Sequence, residues 1–285
     1  MSAPLTLADV PDSFERFELG LLGGALERQY RRMRPEVERL PWGSLAAEVA
    51  TEAPSVVEKA RRIWTMAAFQ EYRTGASCTT ALRLLLEASA PLDLVAVATR
   101  FPLDEIVHVE LCARLLAELG GAAPLLYEPD RLGVTGRESA RPLLRSAEVV
   151  MRVFCVGEAV SIPILRASAR HARQPLIRAV LQRIVKDEAA HGRFGWYFLD
   201  WAGELLTEAE RQRLRWVARD EIDKLLGAWQ RFAEPSEADM HQSTLGWMDP
   251  KTYFRTAHAA LDSAVLGPLA ARGLDPRDVS PIARH

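Results

Sequence analysis

Apolar residues recur at three- and four-residue intervals along most of the chain, and no stretch alternates apolar and polar positions convincingly. The pattern predicts helices almost throughout, an all-α fold. Asp12 and Glu15 stand at capping-box spacing and predict a helix ending near Arg34-Pro35. After Pro41-Trp42-Gly43, a first long helix is expected over about 54–88, a turn at Ala90-Pro91, and a second long helix to Gly120-Gly121. The stretch from Gly120 to Pro142 is rich in Pro, Gly and charge; it is too long for a tight hairpin and reads as a crossover. A third helix is expected over about 143–172, and Gln174-Pro175 opens a fourth that runs to Leu206. Thr207 and Glu210 cap a fifth ending near Phe232, Glu234-Pro235-Ser236-Glu237 reads as a linker, Asp249-Pro250 starts a last helix, and a loose tail begins at Gly273. The expected organisation is one domain over 1–285: a four-helix bundle core at about 54–206, an N-terminal extension at 1–53 and C-terminal helices at 207–285.

Chemistry enters with a phrase that occurs twice, Asp104-Glu105-Ile106-Val107-His108 and Asp187-Glu188-Ala189-Ala190-His191. Each copy puts a carboxylate and an imidazole on one helix face. With 38 acidic residues and six His in 285, two such phrases would arise by chance roughly a few times in ten thousand. A Glu-x-x-His from each of two helices, with one Glu from each of two others, is how a four-helix bundle holds two metal ions. Residues equidistant from the turn of an antiparallel hairpin share a height, which locates the other two carboxylates. Reflecting Glu188 through about residue 173 lands on Glu158, and reflecting Glu105 through 88 lands on Glu71. Glu148 would sit roughly 15 Å off level, and Glu87 lies at the turn itself.

The expected metal ligands are therefore Glu71, Glu105, His108, Glu158, Glu188 and His191. Four buried carboxylates require compensating positive charge, which two divalent ions supply. Oxygen donors with one imidazole per ion suit iron or manganese, or a mixed pair. Asp104 and Asp187 are placed to accept the free ring N–H of the His on the opposite helix. Residues one turn from the ligands (Ala67, Gly75, Phe101, Cys112, Phe154, Ile162, Ile184 and Gly195) are apolar or small and are the candidate pocket wall. Pro102 and Pro163 fall close to Glu105 and Glu158 and would kink their helices and open a cavity. The alternative is that Pro102 starts a shorter helix and Pro163 only bends its own.

Composition narrows the class. A net charge of -2 and a pI near 6.3 give no footprint for nucleic acid or anionic membrane. Cys78, Cys112 and Cys155 are too few for a disulfide framework, and no Cys-x-x-Cys is present. No signal peptide or membrane span is evident, so a cytoplasmic protein is expected. His171, His241, His258 and His285 have no partner at ligand spacing.

Helix order, crossover and ligand order together resemble the ferritin-like di-iron carboxylate superfamily over about Pro54 to Leu206. The Asp-Glu-x-x-His form is similar to that of bacterial monooxygenase hydroxylases and ribonucleotide reductase small subunits. Those families often place Arg just before the His, where this chain has Val107 and Ala190. At the position of the reductase radical tyrosine stands Cys112, a cysteine as in the monooxygenases, and Ile184 takes the place of the third His of the p-aminobenzoate N-oxygenases. The resemblance implies an oxygen-activating oxidase or oxygenase with two irons. Dioxygen, a small and largely apolar organic substrate and an external electron donor would be its partners, with a homodimer as the assembly. The competing expectations are a ferritin- or rubrerythrin-like ferroxidase, peroxidase or iron-handling protein, and a metal-free helical binding protein.

Overall fold

The structure, a computed structural model, describes residues 13–231 and 245–279. The described residues are overwhelmingly helical, as the apolar spacing requires. Asp12 and the linker at 234–237 lie outside them. The N-terminal extension departs from expectation, because Glu15–Arg16 form a short strand (β1) paired antiparallel with Leu126–Tyr127 (β2) in the crossover. Phe17 explains the pairing, since its ring packs on Phe69, Tyr72 and Tyr127 and ties this segment to the helix beneath. Helix α1 begins only at Gly24 (Gly24–Met33), after Gly23 and Gly24 adopt left-handed φ values of 82° and 61°. A short α2 (Ala46–Val49) precedes α3 (Pro54–Glu87), the longest helix, which starts with Pro at N1.

The expected second long helix is two helices, α4 (Leu92–Ala98) and α5 (Phe101–Glu118). Pro102 has no N–H for the carbonyl of Ala98 and its ring crowds that position, so α4 stops there and Pro102 sits in the first turn of α5. The third helix runs as α6 (Pro142–Val150), a π-helical segment (Met151–Glu158) and α7 (Ala159–His171). Next, α8 (Pro175–Ala202) is opened by Gln174, whose side chain accepts the Ile177 N–H at 2.8 Å. The Thr207/Glu210 box caps α9 (Glu208–Arg231), with Glu210 Oε2 accepting the Thr207 N–H at 2.8 Å. Asp249 caps α10 (Pro250–Ala260), which continues through a π segment (Leu261–Leu266) into α11 (Gly267–Ala271). From Gly273 the chain is anchored rather than loose as far as Val279: Leu274, Pro276 and Val279 are buried and Asp275 caps a 3-10 turn.

Helix α3 packs along α5, and the π segment with α7 packs along α8. The buried apolar residues fall into two clusters. One gathers Trp64 and Ala68 of α3, Leu111 and Leu115 of α5 and Ile177 to Ile184 of α8. The other gathers Cys78 to Leu85 of α3, Phe154 and Phe194 to Ala202, closed by α9 and α10. Along α3, Glu71 falls between the two, and along α8 so do Asp187, Glu188 and His191. A polar layer thus crosses an apolar core. No helix among the described residues is long and apolar enough to cross a membrane.

The extension is clasped to the core by Arg34, only 1% exposed, which donates to Glu38 and Glu110 at 2.5 Å each and lies over the Tyr30 ring. Removing Arg34 leaves Glu110 only its longer contact with Arg114 at 3.7 Å and loses the buried guanidinium's packing on Tyr30, together about 3 kcal/mol. Arg34→Ala is therefore expected to lower the urea midpoint by an amount worth about 3 kcal/mol. A loss below about 1 kcal/mol, the level of surface pairs, would show that the clasp is not structural.

Candidate metal centre

Six side chains from four segments meet in the polar layer. Glu71 comes from α3, Glu105 and His108 from α5, Glu158 from the last position of the π segment, and Glu188 and His191 from α8. They form two overlapping groups, Glu71-Glu105-His108-Glu188 and Glu105-Glu158-Glu188-His191, in each of which one oxygen or nitrogen per residue lies within 4.8 Å of the others. Glu105 and Glu188 belong to both. His108 Nδ1 stands 3.4 Å from Glu71 and 3.3 Å from Glu188. His191 Nδ1 stands 3.0 Å from both Glu105 and Glu188. Both imidazoles thus turn Nδ1 inward. Outward, His108 Nε2 faces Asp187 at 3.3 Å and His191 Nε2 faces Asp104 at 3.5 Å, each aspartate serving the helix it does not belong to.

The cluster as it stands is poorly satisfied. Both Glu105 oxygens, Glu188 Oε2 and the Nδ1 atoms of both histidines are buried and accept or donate no hydrogen bond. Each such atom costs about 1–3 kcal/mol. A cation among them supplies what all five lack, so the donor set fits a metal ion. Charge follows the same logic. Burial and repulsion from Glu188 and Glu105 hold the Glu158 carboxyl far above its usual range. Burial also raises Glu71, to about 8, against the pull of His108. Burial works against the imidazolium of His191, but Asp104, Glu105 and Glu188 outweigh it and push the ring up to about 12. His108 is raised for the same reason by Glu105, Glu188 and Glu71. Glu188 moves the opposite way despite burial, because both imidazoles face it. Without metal, protons on Glu71, Glu158 and the two rings take the place of cations.

The rejected glutamates have other partners. Glu148 is buried but accepts from Arg213 and from the Arg137 N–H, both at 2.7 Å, and Glu87 pairs with Arg83. Two arginines escaped the sequence reading. Arg100 donates to Asp104 at 3.0 Å and reaches Asp187 at 3.6 Å, while Arg183 pairs with Asp187. Their signal is in the chain: the doubled phrase is nine residues long, Arg-x-x-x-Asp-Glu-x-x-His, starting at Arg100 and at Arg183. The positions before the His, Val107 and Ala190, hold no arginine, and each cation arrives one turn ahead of its aspartate instead.

The proposed wall residues separate by role. Phe101 packs on His191 with ring centres 4.3 Å apart and on Phe154, making an apolar lid over that imidazole. Gly75 and Gly195 are close-contact positions rather than cavity wall: a Cβ would meet Glu105 Cβ at 3.3 Å in one case and Cys155 Sγ at 2.7 Å in the other. Cys112 and Ile184 are buried in the apolar cluster on the His108 side, and Ala67 packs beside it. Burial keeps the Cys112 thiol protonated. Ile162 borders a cleft of about 300 Å³ between α7 and α8, and so does Pro163. Of the two prolines, Pro102 opens a helix without kinking it. Pro163 lies within regular α7, five residues beyond Glu158 at the end of the π segment, so the distortion of this helix falls ahead of the proline. No protein-family model and no curated protein sequence matches this chain.

Proposed function

We propose that the cluster holds two iron ions, or a manganese/iron pair, and that the protein is an oxygen-activating oxidase or oxygenase acting on a small organic molecule. The fold would then be a ferritin-like four-helix bundle formed by α3, α5, α6–α7 and α8, with the remaining helices as additions. The observation that carries this reading is the pair of overlapping groups sharing Glu105 and Glu188, each completed by one inward Nδ1 and one outer glutamate. Glu71 and His108 would hold one ion and Glu158 and His191 the other, with Glu105 and Glu188 within reach of both.

When bound, the ions would supply the electrons that reduce dioxygen, and an external donor would restore them. The protein's part is positional. Asp187 is hydrogen-bonded to the outward nitrogen of His108, and Asp104 stands 3.5 Å from that of His191, so the inward nitrogen lone pairs would be free once the rings lose their second protons. Against its burial, His191 and Arg100 hold Asp104 charged, and Arg183 pairs with Asp187. Phe101 packs on His191, backed by Phe154 and Phe194, and keeps water from that side of the cluster. Glu71, with 16% of its side chain accessible, is the least buried of the four carboxylates and would be the one with most room to move about a bound ion.

Anaerobic loading with ferrous iron followed by metal analysis and oxygen uptake tests the reading. The expected result is about two ions per chain and rapid consumption of dioxygen on mixing. Fewer than about one ion per chain would sink it.

A further inference from the structure

The cleft beside Ile162 has a composition that the metal chemistry does not require. Its floor is built from two of the helices next to the cluster: Ala159 and Ile162 of α7 follow Glu158 at the end of the π segment, while Ala189 and Gly192 of α8 neighbour Glu188 and His191. Trp196 and Pro268 extend an apolar wall. The close approach of α7 to α8 depends on Gly192, where a Cβ would meet Ile162 Cδ1 at 2.4 Å. Ile162 therefore lies one turn from Glu158 and directly over the residue after His191, between the open cleft and the buried cluster.

Two cations stand at this apolar cleft, Arg166 from α7 and Arg193 from α8. Both are exposed, and neither has an ion pair or side-chain hydrogen bond among the described residues. Exposed arginines without a side-chain partner also occur elsewhere, at Arg28, Arg32, Arg39 and Arg170, but Arg166 and Arg193 are the two that line this apolar cleft. An apolar trough with a free guanidinium on each wall complements a molecule with an apolar body and one anionic end. At roughly 30 Å³ for each water-sized group, 300 Å³ holds about ten non-hydrogen atoms.

We propose that this cleft is the substrate site and that it takes a small organic acid, its carboxylate on Arg166 or Arg193 and its apolar portion against Ile162 and Trp196. The proposal rests on the di-metal reading only in making the bound molecule a substrate; the recognition itself involves no metal.

Octanoate and octanol, matched in length and differing in charge, serve as probes. Their binding is measured by isothermal titration calorimetry on the full chain, in metal-free and in metal-loaded protein. Octanoate is expected to bind in both states, at least tenfold more tightly than octanol. Arg166→Gln/Arg193→Gln should erase that preference without changing metal content, while Arg170→Gln, on the neighbouring α7 surface, leaves it intact. Ile162→Trp, which fills the trough, should abolish binding of both probes. Equal affinity for the two probes in the wild-type protein overturns the proposal and needs no variant, as does octanoate binding that survives loss of both arginines. Normal metal loading with no octanoate binding removes the cleft assignment and leaves the metal reading standing. Arginine-dependent binding in a protein that takes up no metal does the reverse, keeping the organic-acid site and removing the chemistry.

Discussion

Glu158→Leu will make the metal-free protein more stable and will halve its capacity for metal. Glu158 is buried at the end of the π segment, and the Ser161 hydroxyl is its only hydrogen-bond donor, at 3.2 Å. It faces two further carboxylates, and burial together with those neighbours keeps it protonated. Leucine has similar volume, needs no partner and extends the apolar residues Val156 and Val160 on either side. Replacing a buried carboxyl that faces like charges and holds one long hydrogen bond by an apolar group stabilises by about 1–3 kcal/mol, or roughly 3–8 °C in a chain of this size. The same change removes one ligand from the His191 group and none from the His108 group. Metal content should drop from about two ions per chain to about one. Calorimetry on chelator-treated protein and metal analysis of the reloaded sample read the two effects together. A lower melting temperature for the metal-free variant would contradict the account of a frustrated, cation-seeking cluster.

Metal affinity will rise steeply with pH, while the metal-free fold loses stability over the same range. Both follow from protons held by the folded chain. Glu71 and Glu158 keep protons that unfolded carboxyls release near 4.5, and the two imidazoles keep protons that unfolded histidines release near 6.5. Above about 4.5 the native state therefore binds more protons than the unfolded one, and stability falls as pH rises. For His191 the contribution is complete below about 6.5 and is lost only as pH climbs toward about 12. Glu188 and Asp104, whose carboxyls are held low, act in the opposite sense but only below about 4.5. Two divalent ions entering the site would displace up to four protons, so the apparent affinity gains up to one decade per pH unit for each proton released. The stabilisation conferred by metal should thus be larger at pH 8 than at pH 6. It can be followed as the difference in melting temperature between loaded and metal-free protein, with proton release checked by titration in buffers of different ionisation enthalpy. A pH-independent difference would mean that the ligands carry no protons to displace.

Much of this arrangement was legible in the chain because helices obey simple arithmetic. The caps at Gln174, Thr207 and Asp249 stand where the residue types put them, and reflection through the turns brings Glu71 and Glu158 into the cluster with the doubled motif. That arithmetic succeeded even though one hairpin contains an inserted α4 and the other a π segment. What escaped depends on tertiary contacts. The β1–β2 pairing is two residues long and rests on Phe17 finding an aromatic cluster more than fifty residues away, which no local pattern announces. Inside the π segment the one punctuating residue is Gly157, and a lone glycine in a helical pattern does not distinguish a π turn from an ordinary one. Arg100 and Arg183 were visible, but only to a reader who extended the phrase four residues toward the N-terminus.

The crossed pairing of aspartates and histidines has a bearing on how the chain assembles. His108 and Asp187 are 79 positions apart in sequence, and the other crossed pair, His191 and Asp104, spans a similar distance. Each half of the molecule contributes one imidazole and the carboxylate that orients the other half's imidazole. Neither half can therefore present a finished coordination shell alone. An ion entering early finds only a loose, protonated pair, whereas one entering after the halves have docked finds both shells at once. Under the proposed reading, metal uptake would follow the docking of the two halves, and bound ions would pin the seam between them.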